Sequence, residues 1–280
     1  MSFLITGATG VIGGQVARQL VEHGMQVRTI SRNPEKANLP REIEIFAGDL
    51  TAREFHPGVF EGVKSIFLFP AEGNINNFLS TAKRHGVEHI VALSSLAAAA
   101  EFPRDLNSTS YRHHIAIENA IRESGIDFTF LRPGTFANNL RGWSYSIKTR
   151  KMVFGPYPES AQALIHEADV VDVAVTALTS DGHKGAIYPL TGPEALTQFQ
   201  QLEIIGDAIG EKLTFQKISP EQFRQSMAQF MPDEVINMLL NYWSDTVTQP
   251  DVVRKTAEQV TGKPGRTFAQ WATDHMSDFQ

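Results

Sequence analysis

The sequence predicts an α/β protein with a doubly wound parallel sheet, followed by a smaller and mostly helical C-terminal lobe. Three observations carry this prediction. Short apolar runs alternate with amphipathic segments through the first half of the chain, a pattern typical of parallel strands joined by crossover helices. Three glycines separate the first apolar run from the first amphipathic segment. Beyond about residue 193 the segments are helical in pattern.

Six apolar runs in the first half are predicted strands, and a seventh lies farther along the chain. The run 64–70 is apolar in its middle on both faces, as expected of a strand buried inside a parallel sheet. The predicted strands cover residues 3–5, 26–30, 42–46, 64–70, 89–93, 127–131 and 186–190.

Helices are predicted over 11–23, 76–85, 110–124 and 169–178. The first three are followed by a glycine, a common residue just beyond a helix C-terminus. In the C-terminal part, three segments begin with a Ser or Thr placed three residues before a Gln, which is the pattern of a capping box. These predicted helix starts are Thr197, Ser219 and Thr267.

We expect two structural units. A dinucleotide-binding domain is predicted from residues 1–135 with about 160–192, because these hold all seven apolar runs. The irregular stretch 136–159, together with 193–280, is predicted to form a smaller substrate or partner lobe.

Composition and charge narrow the function classes. The chain has 280 residues, a net charge of −6 and a pI near 5.9, which argues against a broad basic surface for nucleic acid or an anionic membrane. No apolar run approaches the roughly 18 residues of a membrane span, and no basic leader precedes the first strand. The absence of cysteine excludes disulfides and thiolate metal sites.

From these observations we expect a cytoplasmic protein that acts on a small-molecule substrate and has no nucleic-acid or membrane partner. Whether the protein forms a homo-oligomer or binds a regulatory protein stays open.

Gly7, Gly10 and Gly13 lie between the first predicted strand and the first predicted helix. A tight turn there needs a residue free to adopt positive φ, and a diphosphate approaches the backbone closely only where no Cβ intervenes. The helix N-terminus adds unpaired N–H groups and a positive dipole end. The spacing is G-x-x-G-x-x-G rather than G-x-G-x-x-G. We therefore predict a Rossmann-type dinucleotide site whose loop residues are Gly7, Thr9, Gly10, Val11 and Ile12.

The end of the second strand indicates which dinucleotide binds. An acidic residue about 20 positions beyond the glycines would accept a hydrogen bond from the ribose 2′-OH, but this chain has Ser31-Arg32-Asn33 there. Arginine can bind a 2′-phosphate through two parallel hydrogen bonds. We predict NADP(H) over NAD(H), with a solvated Arg32 as the alternative.

Five stretches of the chain carry a resemblance to a known family; they are residues 6–13, 31–36, 118–125, 130–139 and 188–194. Together they resemble the NmrA-like, atypical short-chain dehydrogenase/reductases over nearly the whole chain. The resemblance implies NAD(P) binding. For the activity it leaves two alternatives, because one fold supports both. The protein is either a reductase of quinones or ketones, or a regulator that senses the dinucleotide.

The resemblance also implies a catalytic Tyr-x-x-x-Lys pair on the helix after the fifth strand, with a serine from that strand. Tyr111 begins this helix, but the residue four positions on is Ile115. Counting back from Glu118 places the lysine position on His114 and the tyrosine position on Ser110. The candidate catalytic residues are Tyr111 as proton donor and His114 as ribose ligand or proton relay. His114 and Glu118 also share a helix face, but no third ligand is evident and no metal is predicted.

The nicotinamide is expected outside the carboxyl ends of the strands. The residues predicted to contact it are Phe69, Pro70, Ser94 and Pro133. A substrate cleft with aromatic walls is predicted from the residues that follow the sixth strand, namely Phe136, Asn139, Trp143 and Tyr145.

Two functions fit these residues. The first is an NAD(P)H-dependent oxidoreductase that transfers hydride to a small carbonyl or quinone, since positioning on the cofactor can suffice without the tyrosine–lysine pair. The alternative is a non-catalytic, NADP-binding and redox-sensing regulator, which the missing pair favours.

Overall fold

The computed structural model describes residues 2–71, 73–106 and 108–280. Its strands are β1 (Ser2–Ile5), β2 (Gln26–Ser31), β3 (Ile43–Ala47), β4 (Val63–Leu68), β5 (His89–Leu93), β6 (Asp127–Pro133), β7 (Met152–Gly155), β8 (Ala161–Gln162), β9 (Ile187–Leu190), β10 (Leu196–Thr197) and β11 (Thr214–Lys217). Seven of them form one sheet in the order β3-β2-β1-β4-β5-β6-β9, and every pair is parallel. The predicted doubly wound α/β fold is confirmed.

The helices of the described ranges are α1 (Val11–Glu22), α2 (Asn76–Arg84), α3 (Thr109–Ser124), α4 (Ser144–Arg150), α5 (Glu167–Thr179), α6 (Gln198–Ile209), α7 (Pro220–Met227), α8 (Asp233–Thr248), α9 (Thr256–Thr261) and α10 (Phe268–Asp274). Each predicted strand, and each predicted helix between strands, occurs within two residues of its predicted ends. No helix in the described ranges has both the length and the apolar character of a membrane span.

Side chains alternate between the two faces of the sheet and so supply two separate cores. In β1, Phe3 and Ile5 join a buried cluster that includes residues of α1 and α5. Leu4, between them, joins a cluster on the other face that includes residues of α2 and α3. Full burial of one such side chain contributes about 1.5–3 kcal/mol, so the sheet is fixed by helices on both faces.

The three predicted capping boxes are confirmed at the starts of α6, α7 and α10. The hydroxyls of Thr197, Ser219 and Thr267 accept hydrogen bonds from the backbone N–H three residues on, at 3.1–3.2 Å. The matching glutamine side chains accept from the N-cap N–H at 2.8–2.9 Å. Local side-chain chemistry therefore determines where these helices begin.

Two further apolar clusters lie outside the large sheet. Ala137, Ile147, Val153, Leu202 and the fully buried Trp271 of α10 belong to one of them. The other is formed largely by α7 and α8. The stretch predicted as irregular contains α4 and β7, elements too short to give a readable period. Although α9 belongs to the part of the chain predicted to form the second unit, it packs against α5 and β9 of the large sheet. The predicted division into two units therefore stays a prediction.

Candidate active site

The glycine loop between β1 and α1 is folded tightly. Gly7 has φ +66°, in the left-handed region that favours glycine, and its carbonyl accepts a hydrogen bond from the Gly10 N–H at 2.9 Å. A Cβ added to Gly7 would lie 2.8 Å from Cβ of Phe69, and one added to Gly13 would lie 2.5 Å from the Gly7 carbonyl oxygen. Side chains at these two positions would therefore push the loop open.

The N-terminus of α1 is available to an anion. Gly10 is the N-cap, no side chain caps the helix, and its first turn carries no acidic residue. The first backbone N–H groups of a helix lack intrahelical acceptors, and they favour a negatively charged group. Thr9, Gly10 and Val11 are exposed, whereas the side chain of Ile12 is buried. The glycine loop and the N-terminus of α1 therefore fit a dinucleotide diphosphate.

Residues at the neighbouring strand ends surround this loop. Phe69, which follows β4, is 38% exposed, and its N–H donates to the Thr6 hydroxyl at 2.7 Å. Arg32 follows β2, is exposed, and makes no ion pair within the described ranges. Hydrogen bonds from Thr51 and the nearby charge of Arg32 lower the pKa of Asp49, and together they outweigh the opposite effect of burial. Because β2 ends at Ser31, Arg32 lies at the carboxyl edge of the sheet.

Ser94, just after β5, turns its hydroxyl inward. It donates to the carboxylate of Glu118 at 2.6 Å, and Arg132 donates to the same carboxylate at 2.7 and 2.8 Å. Burial alone would raise the pKa of Glu118, but hydrogen bonds from Arg132 and Ser94 and the charges of Arg132 and Arg122 lower it overall. The Ser94 hydroxyl is thus engaged in a buried ionic network and its N–H donates to the Leu131 carbonyl at 2.7 Å, so only the Ser94 backbone carbonyl is left for a cofactor. Pro133, at the end of β6, is also buried.

Ser95 and Ser110 form a pair of hydroxyls on the wall of a cavity. Ser110 donates to the Ser95 oxygen at 3.4 Å, and Ser95 also accepts from the Ala97 N–H at 3.2 Å. Tyr111, the next residue, is half-buried and does not line this cavity. The structure thus places Ser110, not Tyr111, beside the strand-end serine.

His114 lies one helical turn beyond Ser110. Its Nδ1 is buried and has no hydrogen-bond partner among the described residues. Burial, together with His113, lowers the pKa of His114 to about 4 against the opposing charge of Glu118. The imidazole is therefore neutral near pH 7 and cannot replace the charge of a lysine. Within the described ranges, no group of three or more His, Asp or Glu side chains is arranged to hold a metal ion.

The cavity, of about 940 Å³, opens at the carboxyl ends of β5, β6 and β9. Gly134, Thr135 and Thr191 line it there, and side chains of α7 and α8 form much of the remaining wall. Of the residues predicted to contact substrate, Asn139 and Trp143 line the cavity.

The other two residues predicted for the substrate pocket lie elsewhere. Phe136 packs against the core cluster of α1 and α5, because its backbone pairs with Ile165. Tyr145 is 76% exposed, because α4 directs it away from the cavity that Trp143 lines.

Tyr242 of α8 was not predicted from the sequence. Its hydroxyl accepts from Thr135 at 3.1 Å and donates to the carboxylate of Asp251. Asp251 also accepts from the Ala163 N–H at 3.2 Å and lies 3.8 Å from the guanidinium of Arg104. Burial and the charge of Asp251 raise the pKa of Tyr242 well above its ordinary value. No motif joins these residues, so sequence inspection offers no signal for this network.

Comparison with known proteins finds relatives that span the chain. Residues 7–181 match a family described as NAD(P)H-binding. The (4-alkanoyl-5-oxo-2,5-dihydrofuran-3-yl)methyl phosphate reductase of Streptomyces griseus is 31% identical over 281 residues, covering 99% of this chain and 98% of that protein. An NADPH-dependent quinone oxidoreductase of Escherichia coli superposes with a TM-score of 0.81 at 25% identity, over 98% of this chain and 99% of that one. The negative transcriptional regulator NmrA, in complex with NADP, superposes with a TM-score of 0.73 at 17% identity, over 99% and 95% of the two chains, a likeness of fold.

Proposed function

Because the chain belongs to the NAD(P)H-binding family, we propose that it is an NAD(P)H-dependent oxidoreductase that transfers hydride to a small carbonyl or quinone. One observation carries the proposal: the glycine loop and the uncapped start of α1 share a sheet edge with a cavity of about 940 Å³. Reductases among the similar proteins support the same reaction class.

We assign the diphosphate to the loop formed by Gly7, Thr9, Gly10, Val11 and Ile12. Arg32 is assigned to the 2′-phosphate, which makes NADP(H) the preferred cofactor. Phe69, Pro70, the Ser94 backbone and Pro133 are assigned to the wall beside the nicotinamide. The dinucleotide, when bound, supplies a hydride; with one proton, that hydride converts a carbonyl to an alcohol or a quinone to a hydroquinone.

The side chains of this chain orient the substrate oxygen and supply hydrogen bonds to it. Ser95 is proposed to donate to that oxygen while Ser110 donates to Ser95, because both residues line the cavity. His114, neutral at pH 7, is proposed to bind a ribose hydroxyl, and Tyr111 remains the alternative proton donor. A quinone suits the site best, because its reduced oxygen is stabilised by the ring and needs little protonation by the protein.

The second candidate function is a regulator that binds NADP without turnover. The observation that favours it is Ser110 in the position where the resemblance implies a tyrosine, with neutral His114 in the lysine position.

The test measures NADPH binding by calorimetry and NADPH oxidation, as loss of absorbance, with a panel of quinones and aldehydes. Gly13→Ala is expected to abolish both, because its methyl group would lie 2.5 Å from the Gly7 carbonyl oxygen. Gly265→Ala is the control, since its nearest neighbours would lie at an ordinary 3.7 Å. Tight binding without turnover across the panel would favour the regulator, and a folded protein that binds neither nucleotide would contradict both functions.

A further inference from the structure

We propose that the natural substrate of this cavity is a two-part molecule: a reducible conjugated head joined to a long, uncharged apolar tail that lies against α7 and α8. This inference rests on the proposed oxidoreductase function and specifies its substrate class.

The size of the cavity argues for the tail. Its volume of about 940 Å³ is at the upper end of the roughly 300–1,000 Å³ of pockets that bury drug-sized ligands. It corresponds to the liquid volume of about 30 water molecules. A bare benzoquinone or a short aldehyde would leave most of this space to water, so a small head alone does not account for it.

The wall is polar on one side and apolar on the other. Ser95 and Thr135 line the cavity just beyond the ends of β5 and β6, beside the expected hydride donor, and Ser110 of α3 lies next to Ser95. Apart from Ser226 and the hydroxyl of Tyr242, the side chains that line the cavity from α7, α8 and the segment between them are apolar or aromatic: Phe223, Met227, Met231, Met238, Leu239 and Trp243. This division matches a head held by hydrogen bonds and a tail held by apolar contact.

Methionine is concentrated on the apolar side. Three of the chain's seven methionines, Met227, Met231 and Met238, line the cavity. Methionine is unbranched and polarisable, and it adapts to ligands of varied shape. Such a wall accommodates a flexible chain better than it fixes one rigid ring.

The arginines of the cavity argue against an anionic tail, and the apolar side of the wall favours an uncharged one. Arg254 is paired with Glu101, and the largely buried Arg104 is shared between Asp251 at 3.8 Å and Asp245 at 3.4 Å. Arg150 is solvent-exposed. The two buried or half-buried arginines are therefore already paired with carboxylates, and an anionic tail among the methionines would lack a partner.

The test is a series of para-benzoquinones that carry a straight alkyl group from methyl to octyl. We expect kcat/KM for NADPH oxidation to rise by up to about fourfold per methylene, mainly through a lower KM, until the cavity is full. Quinones with an oligoether tail of the same length should show no such rise. If the methyl member turns over and kcat/KM stays flat or falls with chain length, the tail site is overturned while the proposed oxidoreductase function stands.

A pair of variants on one helix localises the tail. Leu239→Trp, which narrows the cavity from α8, is expected to flatten the dependence on chain length. Val247→Trp is the control, because Val247 is 37% exposed and lies outside the cavity lining; it should keep the wild-type dependence. Equal dependence in both variants would contradict a tail site on α8.

A binding measurement separates this inference from the proposed function. Trp143 and Trp243 line the cavity, so bound quinones should quench tryptophan fluorescence. Quenching that tightens with chain length, with no turnover of any member, would support the tail site and overturn the reductase assignment. Quenching without length dependence, or no quenching, would overturn the tail site.

Discussion

Arg32 is the residue expected to separate NADPH from NADH. Arg32→Ala should raise the Kd for NADPH about tenfold, the low end for a hydrogen bond to a charged group, because the side chain is exposed and partly screened. The Kd for NADH should change little, since NADH has no 2′-phosphate. Calorimetric titration of both nucleotides measures this, with Arg41→Ala as control, because Arg41 is exposed and precedes the amino end of β3. Equal losses for both nucleotides would disprove the assignment.

Ser110 and Tyr111 can be distinguished by two conservative variants. Ser110→Ala should lower kcat for quinone reduction by about threefold to tenfold, the cost of one neutral hydrogen bond, with a smaller change in KM. Tyr111→Phe should lower it less, because Tyr111 does not line the cavity. Steady-state kinetics at saturating NADPH gives both values. A greater loss in Tyr111→Phe would return the proton-donor role to the tyrosine.

At the scale of the element, sequence inspection predicts what local chemistry determines. The strand β4 is recognisable because its core is apolar on both faces, and α6, α7 and α10 begin at hydroxyl–glutamine pairs. Trp143 and Tyr145 are only two residues apart, yet Trp143 lines the cavity and Tyr145 is exposed, because tertiary packing and not local sequence decides where these side chains point. Contacts such as Thr135 with Tyr242, 107 residues apart, depend on tertiary packing that no short motif records.

Two histidines, the buried His89 of β5 and the half-buried His114 of α3, should make stability depend on pH. Burial lowers the pKa of each to about 4 from an ordinary 6.5. Between these values the unfolded chain binds more protons than the folded one, so this stability is present above pH 6.5 and is lost as pH falls toward 4. The expected slope is up to about 1.4 kcal/mol per pH unit for each histidine.

Urea unfolding between pH 4 and pH 7 checks this slope. His89→Gln and His114→Gln should each reduce it, and the glutamine can keep the 2.9 Å hydrogen bond that His89 makes with Thr129. His23→Gln is the control, because His23 is exposed at the end of α1. An unchanged slope in both the His89 and His114 variants would show that carboxylates, such as Glu118, dominate the acid response.

At the scale of the whole molecule, the cavity lies where two structural units are proposed to meet. We propose that residues 1–135 with about 160–192 bind the dinucleotide, and that 136–159 with 193–280 enclose the substrate. The two clusters on the sheet faces and the two outside it support this division, except that Ala257 of α9 belongs to a cluster on the sheet. Tyr242 and Asp251 from the second unit meet Thr135 and Ala163, so the units share a buried polar network beside the strand ends.

Cofactor binding should therefore stabilise the whole chain. At a concentration of 100 times its Kd, NADPH should add about 2.7 kcal/mol to the free energy of unfolding. At about 2–4 °C per kcal/mol for a chain of this size, the Tm should rise by roughly 5–10 °C. NADH at the same concentration should raise it less, and in Arg32→Ala the NADPH shift should fall to the NADH value. Differential scanning calorimetry measures these three shifts; identical shifts with both nucleotides in the wild type would contradict NADP(H) preference while leaving the diphosphate site intact.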